Sequence, residues 1–224
     1  MNSSESRVLA IKKYRAKDVK QFTQKAPVCA AYVAIWLRKR SLGEAMWNQG
    51  PQYFDKMALS DVLDAYLELD DANKPLKGVT KAIRMTEGFK AGGHLERQYI
   101  ASGSKGKKAV LRFEATTDGS ISSPKAKQAG NNLWKKFLSL ETDKRLATFG
   151  IFTTVPHAIG VDCSQPKSCA YFDPNLGEFT FPAAGWLGAW WSECFEDRQT
   201  VKAGLSAWKE ICDSTWRADE YSRP

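Results

Sequence analysis

The architecture of this chain is set by the stretch His157-Ala-Ile-Gly-Val-Asp-Cys-Ser164 and, after a short break, Cys169-Ala-Tyr-Phe-Asp173-Pro-Asn-Leu-Gly177-Glu-Phe-Thr-Phe181. Two apolar runs are joined by a loop around Gln165 and Pro166, and a turn at residues 174–177 leads into a third run. This pattern predicts three antiparallel strands that form a β-meander.

The position of the first loop predicts how the first two strands pair. Symmetry about Gln165 would place His157 directly opposite Asp173 and Ile159 opposite Tyr171. A shift of the register by two would still leave His157 and Asp173 on the same face of the sheet. A histidine beside a carboxylate is a base with the group that orients it, which is half of a nucleophilic triad.

A cysteine that could complete this triad lies far upstream. Residues 29–37 are almost wholly apolar and contain no helix breaker, and Pro27 precedes them where a helix start tolerates proline. We therefore expect Cys29 at the N-terminus of a buried helix, where the helix dipole and free backbone amides favour a thiolate. Basic residues 38–40 follow at the C-terminal end, where positive charge is favourable.

These residues together resemble the papain-like cysteine proteases of the YopT and AvrPphB type, a family of effector proteases that bacteria deliver into host cells. The similarity lies in Cys29 opening a helix that contains Trp36, in His157-Ala158 before a hydrophobic strand, and in Phe172-Asp-Pro-Asn-x-Gly-x-Phe179. It covers roughly residues 1–40 and 150–195, whereas residues 45–145 contain no motif that aligns.

The resemblance implies an α+β, papain-like fold in which a helical part is followed by an antiparallel sheet, with a cleft between them. It implies a catalytic triad of Cys29, His157 and Asp173. It also implies an oxyanion site made by the Cys29 amide and a glutamine shortly before it, for which Gln24 is the candidate and Gln21 the alternative.

The activity implied is hydrolysis of a protein substrate in a host or target cell, without a cofactor or a metal. Two alternatives stay open. A deamidase or a transglutaminase-type acyl transferase would use the same triad, because all three reactions share an acyl-enzyme. A papain-like scaffold that only binds an anionic partner would be the non-enzymatic alternative.

Positive charge is concentrated in the middle of the chain. The chain has a formal net charge of +8, and residues 74–127, with 12 basic and 4 acidic side chains, account for all of it. Lys105, Lys107 and Lys108 lie in a glycine-containing segment that predicts an exposed loop. Such a patch would attract an acidic protein or an anionic membrane surface, so we expect a substrate that is acidic at its cleavage site or is presented at such a membrane. Nucleic acid is a poor candidate, because no nucleic-acid-binding motif accompanies the charge.

Five cysteines do not form a disulfide framework, and reduced thiols are expected. A disulfide between Cys163 and Cys169, or a zinc site made by these two with His157, is the weaker alternative. His94 is the other histidine of the chain, but it lies in a predicted loop without a carboxylate placed opposite it.

The N-terminal residues lack a signal-peptide pattern, and no apolar run approaches the roughly 18 residues that span a bilayer. We expect a protein made in the bacterial cytoplasm, secreted without a cleavable signal peptide, and active in the cytoplasm of a host or target cell.

Residues 1–224 are predicted to form a single domain. We predict a helical part over about residues 20–145, a sheet part over about 146–182 and terminal helices over 185–216. The finer elements predicted are helices over 59–69, 77–89 and 131–140, strands over 109–115 and 147–155, and a loop over 118–130.

Overall fold

The computed structural model describes residues 3–24, 29–44, 46–47, 100, 111–120, 126–152, 157–165, 167–196 and 215–223. In this part of the chain the helices are α1 (Ser3–Lys12), α2 (Cys29–Ser41), α3 (Ala126–Thr142) and α4 (Ala184–Glu196). The strands are β1 (Lys17–Gln21), β2 (Arg112–Ser120), β3 (Leu146–Phe152), β4 (His157–Gln165), β5 (Ser168–Asp173), β6 (Gly177–Phe181) and β7 (Thr215–Ser222). The helices predicted over 59–69 and 77–89 lie outside the described residues.

The strands form one antiparallel sheet in the order β1-β6-β5-β4-β3-β7-β2. The predicted α+β class is therefore confirmed in its coarse form, as helices combined with an antiparallel sheet. The predicted meander is present as β4, β5 and β6, which pair in chain order. Among the described helices, none is long and apolar enough to cross a membrane.

Two hydrophobic cores lie on opposite faces of the sheet. On one face, Ile159 and Tyr171 belong to a core that contains Trp190 of α4, together with residues of α1 and α3. On the other face, Ala158 and Phe172 pack with the apolar residues of α2. Because successive side chains of a strand point to opposite faces, β4 and β5 contribute to both cores, and they are buried along almost their whole length.

The C-terminal strand corrects one prediction. The terminal helices predicted over 185–216 are present as α4 in their first part, and residues 197–214 lie outside the described residues. Thr215 and Trp216 are not helical, because Thr215–Ser222 is strand β7, which lies between β3 and β2. Arg217 and Asp219 are buried as an ion pair with a 2.7 Å contact, and Glu220 accepts a hydrogen bond from Arg145 at 2.9 Å. The charged residues of this strand are therefore paired inside the protein.

The sheet is also larger than the predicted sheet part, 146–182. β1 adds one edge strand and β2 the other, so the predicted helical part, 20–145, is not helical throughout. The strand predicted over 109–115 and the helix over 131–140 are present as β2 and α3. Both are longer than predicted, and they take up most of the loop predicted over 118–130.

Candidate active site

Cys29 is the first residue of α2, as predicted, and its side chain is buried. The first backbone N–H groups of a helix have no partner within the helix, and the helix dipole places partial positive charge there. A cysteine at this position therefore lies close to free backbone N–H groups and to partial positive charge.

Helix α2 runs alongside β4 in the same direction, which brings Cys29 level with His157. Trp36 packs over Gly160, and Nε of Arg40 binds Asp162 at 2.8 Å. From Cys29 to Trp36 the helix rises about 10 Å, and from His157 to Gly160 the strand rises about the same distance. The two contacts thus act as fixed points that align the start of the helix with the start of the strand.

His157 and Asp173 lie in contact at the end of the sheet. Nε2 of His157 is 3.0 Å from Oδ1 of Asp173, and both side chains are buried. The same Oδ1 accepts a hydrogen bond from the backbone N–H of Asn175 at 2.7 Å, and the Tyr171 hydroxyl donates to Oδ2 at 3.3 Å. The carboxylate is therefore held at both of its oxygens.

The detailed register differs from the one that we predicted. His157 does not lie directly opposite Asp173, because Gly160 pairs with Phe172 and the register is shifted by two. The pairing is irregular near the loop, where the Asp162 carboxylate accepts hydrogen bonds from the backbone and side chain of Ser164. As expected for a shift of two, His157 and Asp173 stay on the same face, close enough for their side chains to meet.

The surroundings of His157 favour its protonated form. Burial alone would lower the pKa of the imidazole. The charge and hydrogen bond of Asp173, and the hydrogen bond and charge of Cys29, together raise this pKa well above its usual value. The sequence-predicted residues Cys29, His157 and Asp173 are thus brought together, with the histidine between the thiol and the carboxylate.

Gln24 is held beside the turn that carries Asp173. Its backbone N–H donates to the carbonyl of Pro174 at 2.7 Å, and its Oε1 is buried without a hydrogen-bond partner among the described residues. Gln21, the alternative, lies at the end of the exposed edge strand β1, opposite Gly177. Of the two glutamines, Gln24 is the one placed next to the candidate triad.

Gly177 allows the segment before Gln24 to approach this turn. Its φ angle is +106°, a conformation that favours glycine, and a Cβ at this position would collide with the carbonyl of Lys20. The glycine of the Asp-Pro-Asn-Leu-Gly segment therefore has a defined function. It closes the turn after Asp173 and leaves room for the chain that leads to Gln24.

The other candidate residues are not part of this arrangement. Cys163 and Cys169 are free, buried thiols with their sulfur atoms 2.7 Å apart, near the hairpin loop at the other end of β4 and β5. Within the described ranges, no group of three or more His, Cys, Asp or Glu side chains could hold a metal ion. His94 and the lysines Lys105, Lys107 and Lys108 lie outside the described residues.

One contributor to the site was missed in the sequence. The Tyr171 hydroxyl contacts Asp173 of the candidate triad, whereas the sequence pattern predicts Tyr171 only as a strand residue. Residues i and i+2 of a strand share a face, so the spacing of Tyr171 and Asp173 could have indicated the contact.

Comparison with known proteins finds similarity only among solved structures. No family model matches the chain, and no curated protein matches it significantly. Among solved structures, the crystal structure of the Pseudomonas avirulence protein AvrPphB is similar, with 13% sequence identity and a TM-score of 0.46. The alignment covers 87% of this chain and 91% of that chain.

Proposed function

We propose that this protein is a papain-like cysteine peptidase with the triad Cys29, His157 and Asp173. The observation that supports this most strongly is the position of His157, which contacts the Asp173 carboxylate on one side and the Cys29 thiol on the other. Cys29 at a helix N-terminus and a histidine with a raised pKa are the two conditions that a thiolate–imidazolium pair requires.

The first chemical step forms a thioester. The Cys29 sulfur attacks the scissile carbonyl carbon, and the oxyanion that develops is stabilised by the Cys29 N–H and the Gln24 side-chain amide. When the C–N bond breaks, the imidazolium of His157 gives its proton to the leaving amine. Asp173 orients the ring and stabilises its positive charge, and it does not react itself.

The second step releases the product. A water molecule attacks the thioester carbonyl while the now neutral His157 takes one of its protons. The C–S bond breaks, the substrate fragment leaves as a carboxylic acid that loses its proton to solvent, and the thiolate–imidazolium pair is restored. Because Nε2 of His157 faces Asp173, Nδ1 is the ring nitrogen that exchanges these protons.

The residues that resemble the effector-protease family each have a structural role that fits this function. Phe172 stacks on Trp36 of the cysteine-bearing helix, with ring centroids 5.6 Å apart. Asp173 contacts His157, and Gly177 shapes the turn toward Gln24. This agreement supports our further proposal that the protein is a secreted bacterial effector or toxin that acts on a protein in the cytoplasm of a host or target cell.

The proposed activity can be tested by incubating candidate host-cell extracts with the native protein and with Cys29→Ala. We expect new protein N-termini, detected by mass spectrometry, with the native protein and none with the variant. A mass increase of about one dalton on substrate glutamines would instead indicate a deamidase, because hydrolysis of the side-chain amide replaces NH2 by OH. Equal cleavage by both proteins would refute the assignment of Cys29.

A further inference from the structure

The Asp173 carboxylate has one partner that the proposed mechanism does not use. Its Oδ1 is occupied by His157 at 3.0 Å and by the Asn175 N–H at 2.7 Å. Its Oδ2 accepts a hydrogen bond from the Tyr171 hydroxyl at 3.3 Å. Without a partner on Oδ2, the carboxylate could turn about its Cβ–Cγ bond, since that torsion is soft.

The packing of Tyr171 keeps its hydroxyl in place. The side chain has 0% exposure, and its ring packs edge to face against Trp190 and Trp191 of α4, with centroids 5.2 and 6.0 Å apart. Edge-to-face contacts at these distances are the arrangement that aromatic pairs prefer. The hydroxyl therefore reaches Asp173 from a rigid support.

Tyr171 also stays protonated under the conditions in which a triad would work. Burial, followed by the charges of Asp173 and Cys194 and the hydrogen bond to Asp173, raises the pKa of the Tyr171 hydroxyl well above its usual value. A protonated phenol can donate a hydrogen bond, and an ionised carboxylate oxygen can only accept one. The titratable groups around this contact are His157 from β4, Cys29 from α2 and Cys194 from α4.

We propose that Tyr171 is a positioning residue that acts on His157 through Asp173: it holds Oδ2 so that Oδ1 stays directed at Nε2 of the imidazole. This inference rests on the proposed peptidase function. If the Tyr171 hydroxyl were lost, the hydrogen bond between Asp173 and His157 would weaken, and the imidazolium of His157 would lose part of its stabilisation. The imidazolium would then lose its proton at a lower pH, so the alkaline limit of the reactive state would move down.

Tyr171→Phe tests this role, because it removes the hydroxyl and keeps the ring. With a peptidyl epoxide of the papain-inhibitor class as the probe, we expect alkylation of Cys29 to slow about tenfold, as for the loss of one hydrogen bond to a charged group. The alkaline limb of the rate–pH profile should move to lower pH. Tyr221→Phe is the matched control, since Tyr221 is equally buried but packs against Phe113 in the other core.

A second readout separates this inference from the proposed function. Titration of His157 followed by NMR needs no substrate and no probe, and we expect a lower His157 pKa in Tyr171→Phe than in the native protein and in Tyr221→Phe. If the epoxide leaves Cys29 of the native protein unmodified, the peptidase function fails, while the titration still decides the role of Tyr171. An unchanged titration would overturn the inference and leave Tyr171 as a core residue.

Discussion

His157 is the residue on which the candidate site depends, because it touches both other members of the triad. The raised pKa of His157 makes the stability of the folded protein depend on pH. A group whose pKa is higher in the folded than in the unfolded protein stabilises the fold below its unfolded pKa, and this contribution is lost as the pH rises through the folded pKa. The stabilisation should therefore be fully present below the ordinary histidine pKa of about 6.5 and be lost toward alkaline pH.

Asp173→Asn should reveal this dependence, because it removes the charge that raises the His157 pKa most. We expect the native protein to exceed the variant in free energy of unfolding by an amount that shrinks between pH 6 and pH 9, measured by urea denaturation at several pH values. Asp118→Asn, at an exposed position of β2, is the control and should show no such trend. If the free energies of unfolding of the native protein and Asp173→Asn differed by the same amount at every pH, the ion pair between Asp173 and His157 would be contradicted.

Gln24 provides a second prediction at the level of single residues. If its amide stabilises the oxyanion, Gln24→Ala should slow cleavage of a peptide bond about 100-fold or more, which is typical of losing one such donor. Gln21→Ala, on the exposed strand β1, should have little effect. Alkylation by an epoxide involves no tetrahedral oxyanion, so it should change much less in Gln24→Ala. Equal effects of the two alanine variants on cleavage would refute the role of Gln24.

The contact between His157 and Asp173 could be predicted because strand side chains alternate with a period of two, which a register shift of two preserves. The exact pairing could not, because it depends on the irregular segment after Asp162, where Ser164 binds the Asp162 carboxylate. At Lys167 the backbone is left-handed, with a φ angle of 59°. Neither feature has a strong signal in a single sequence.

Helix α2 and strand β4 form the pair of elements that brings the thiol to the histidine. The helix approaches the strand closely at Gly160, because a Cβ at this position would lie 2.7 Å from the Trp36 ring. Real Cβ atoms do not come this close to other atoms, so a larger residue must displace either the ring or the helix. Displacement of the helix would also move Cys29.

Gly160→Ala should therefore lower both stability and reactivity. We expect a loss of about 1–3 kcal/mol in the free energy of unfolding, typical of overpacking, together with slower alkylation of Cys29. Adding Trp36→Phe should restore part of both losses, since a smaller ring makes room for the methyl group. Gly185→Ala on α4, where a Cβ would meet no atom within 4 Å, is the control. If the double variant were no more stable and no more reactive than Gly160→Ala, the contact between Gly160 and Trp36 would not be what aligns the helix.

Elements with a clear hydrophobic pattern were predictable, and those stabilised by buried charge were not. Helix α2 and the meander are apolar and bounded by turn residues. Strand β7 contains the buried charges Arg217, Asp219 and Glu220. Arg217 and Asp219 form an ion pair within the strand, but Asp219 and Glu220 also have partners from other parts of the fold, such as Arg145 for Glu220. For instance, the Thr116 hydroxyl donates to Asp219 at 2.7 Å from the neighbouring strand. Such partners can be recognised only after the strands have been placed side by side.

The net positive charge of the protein leads to a prediction about its substrate. All of the net charge of +8 arises from residues 74–127, and positive charge speeds the encounter with acidic partners. Changing Lys105, Lys107 and Lys108 to glutamate should slow cleavage of the true substrate more at low than at high ionic strength, because salt screens the attraction. Cleavage rates measured across a salt series would test this. The same rate as the native protein at every ionic strength would mean that the segment does not steer the substrate.

We propose that Cys29 is the reactive thiol of this protein and that His157 activates it. The most direct test is to treat the native protein and His157→Ala with a peptidyl epoxide at neutral pH and to locate the label by peptide mass spectrometry. We predict one label per native molecule, at Cys29, while the buried thiols of Cys163 and Cys169 stay unmodified, and a much slower reaction in His157→Ala. Labelling of Cys163 or Cys169 in the folded protein, or an equal rate at Cys29 without His157, would contradict the proposed triad.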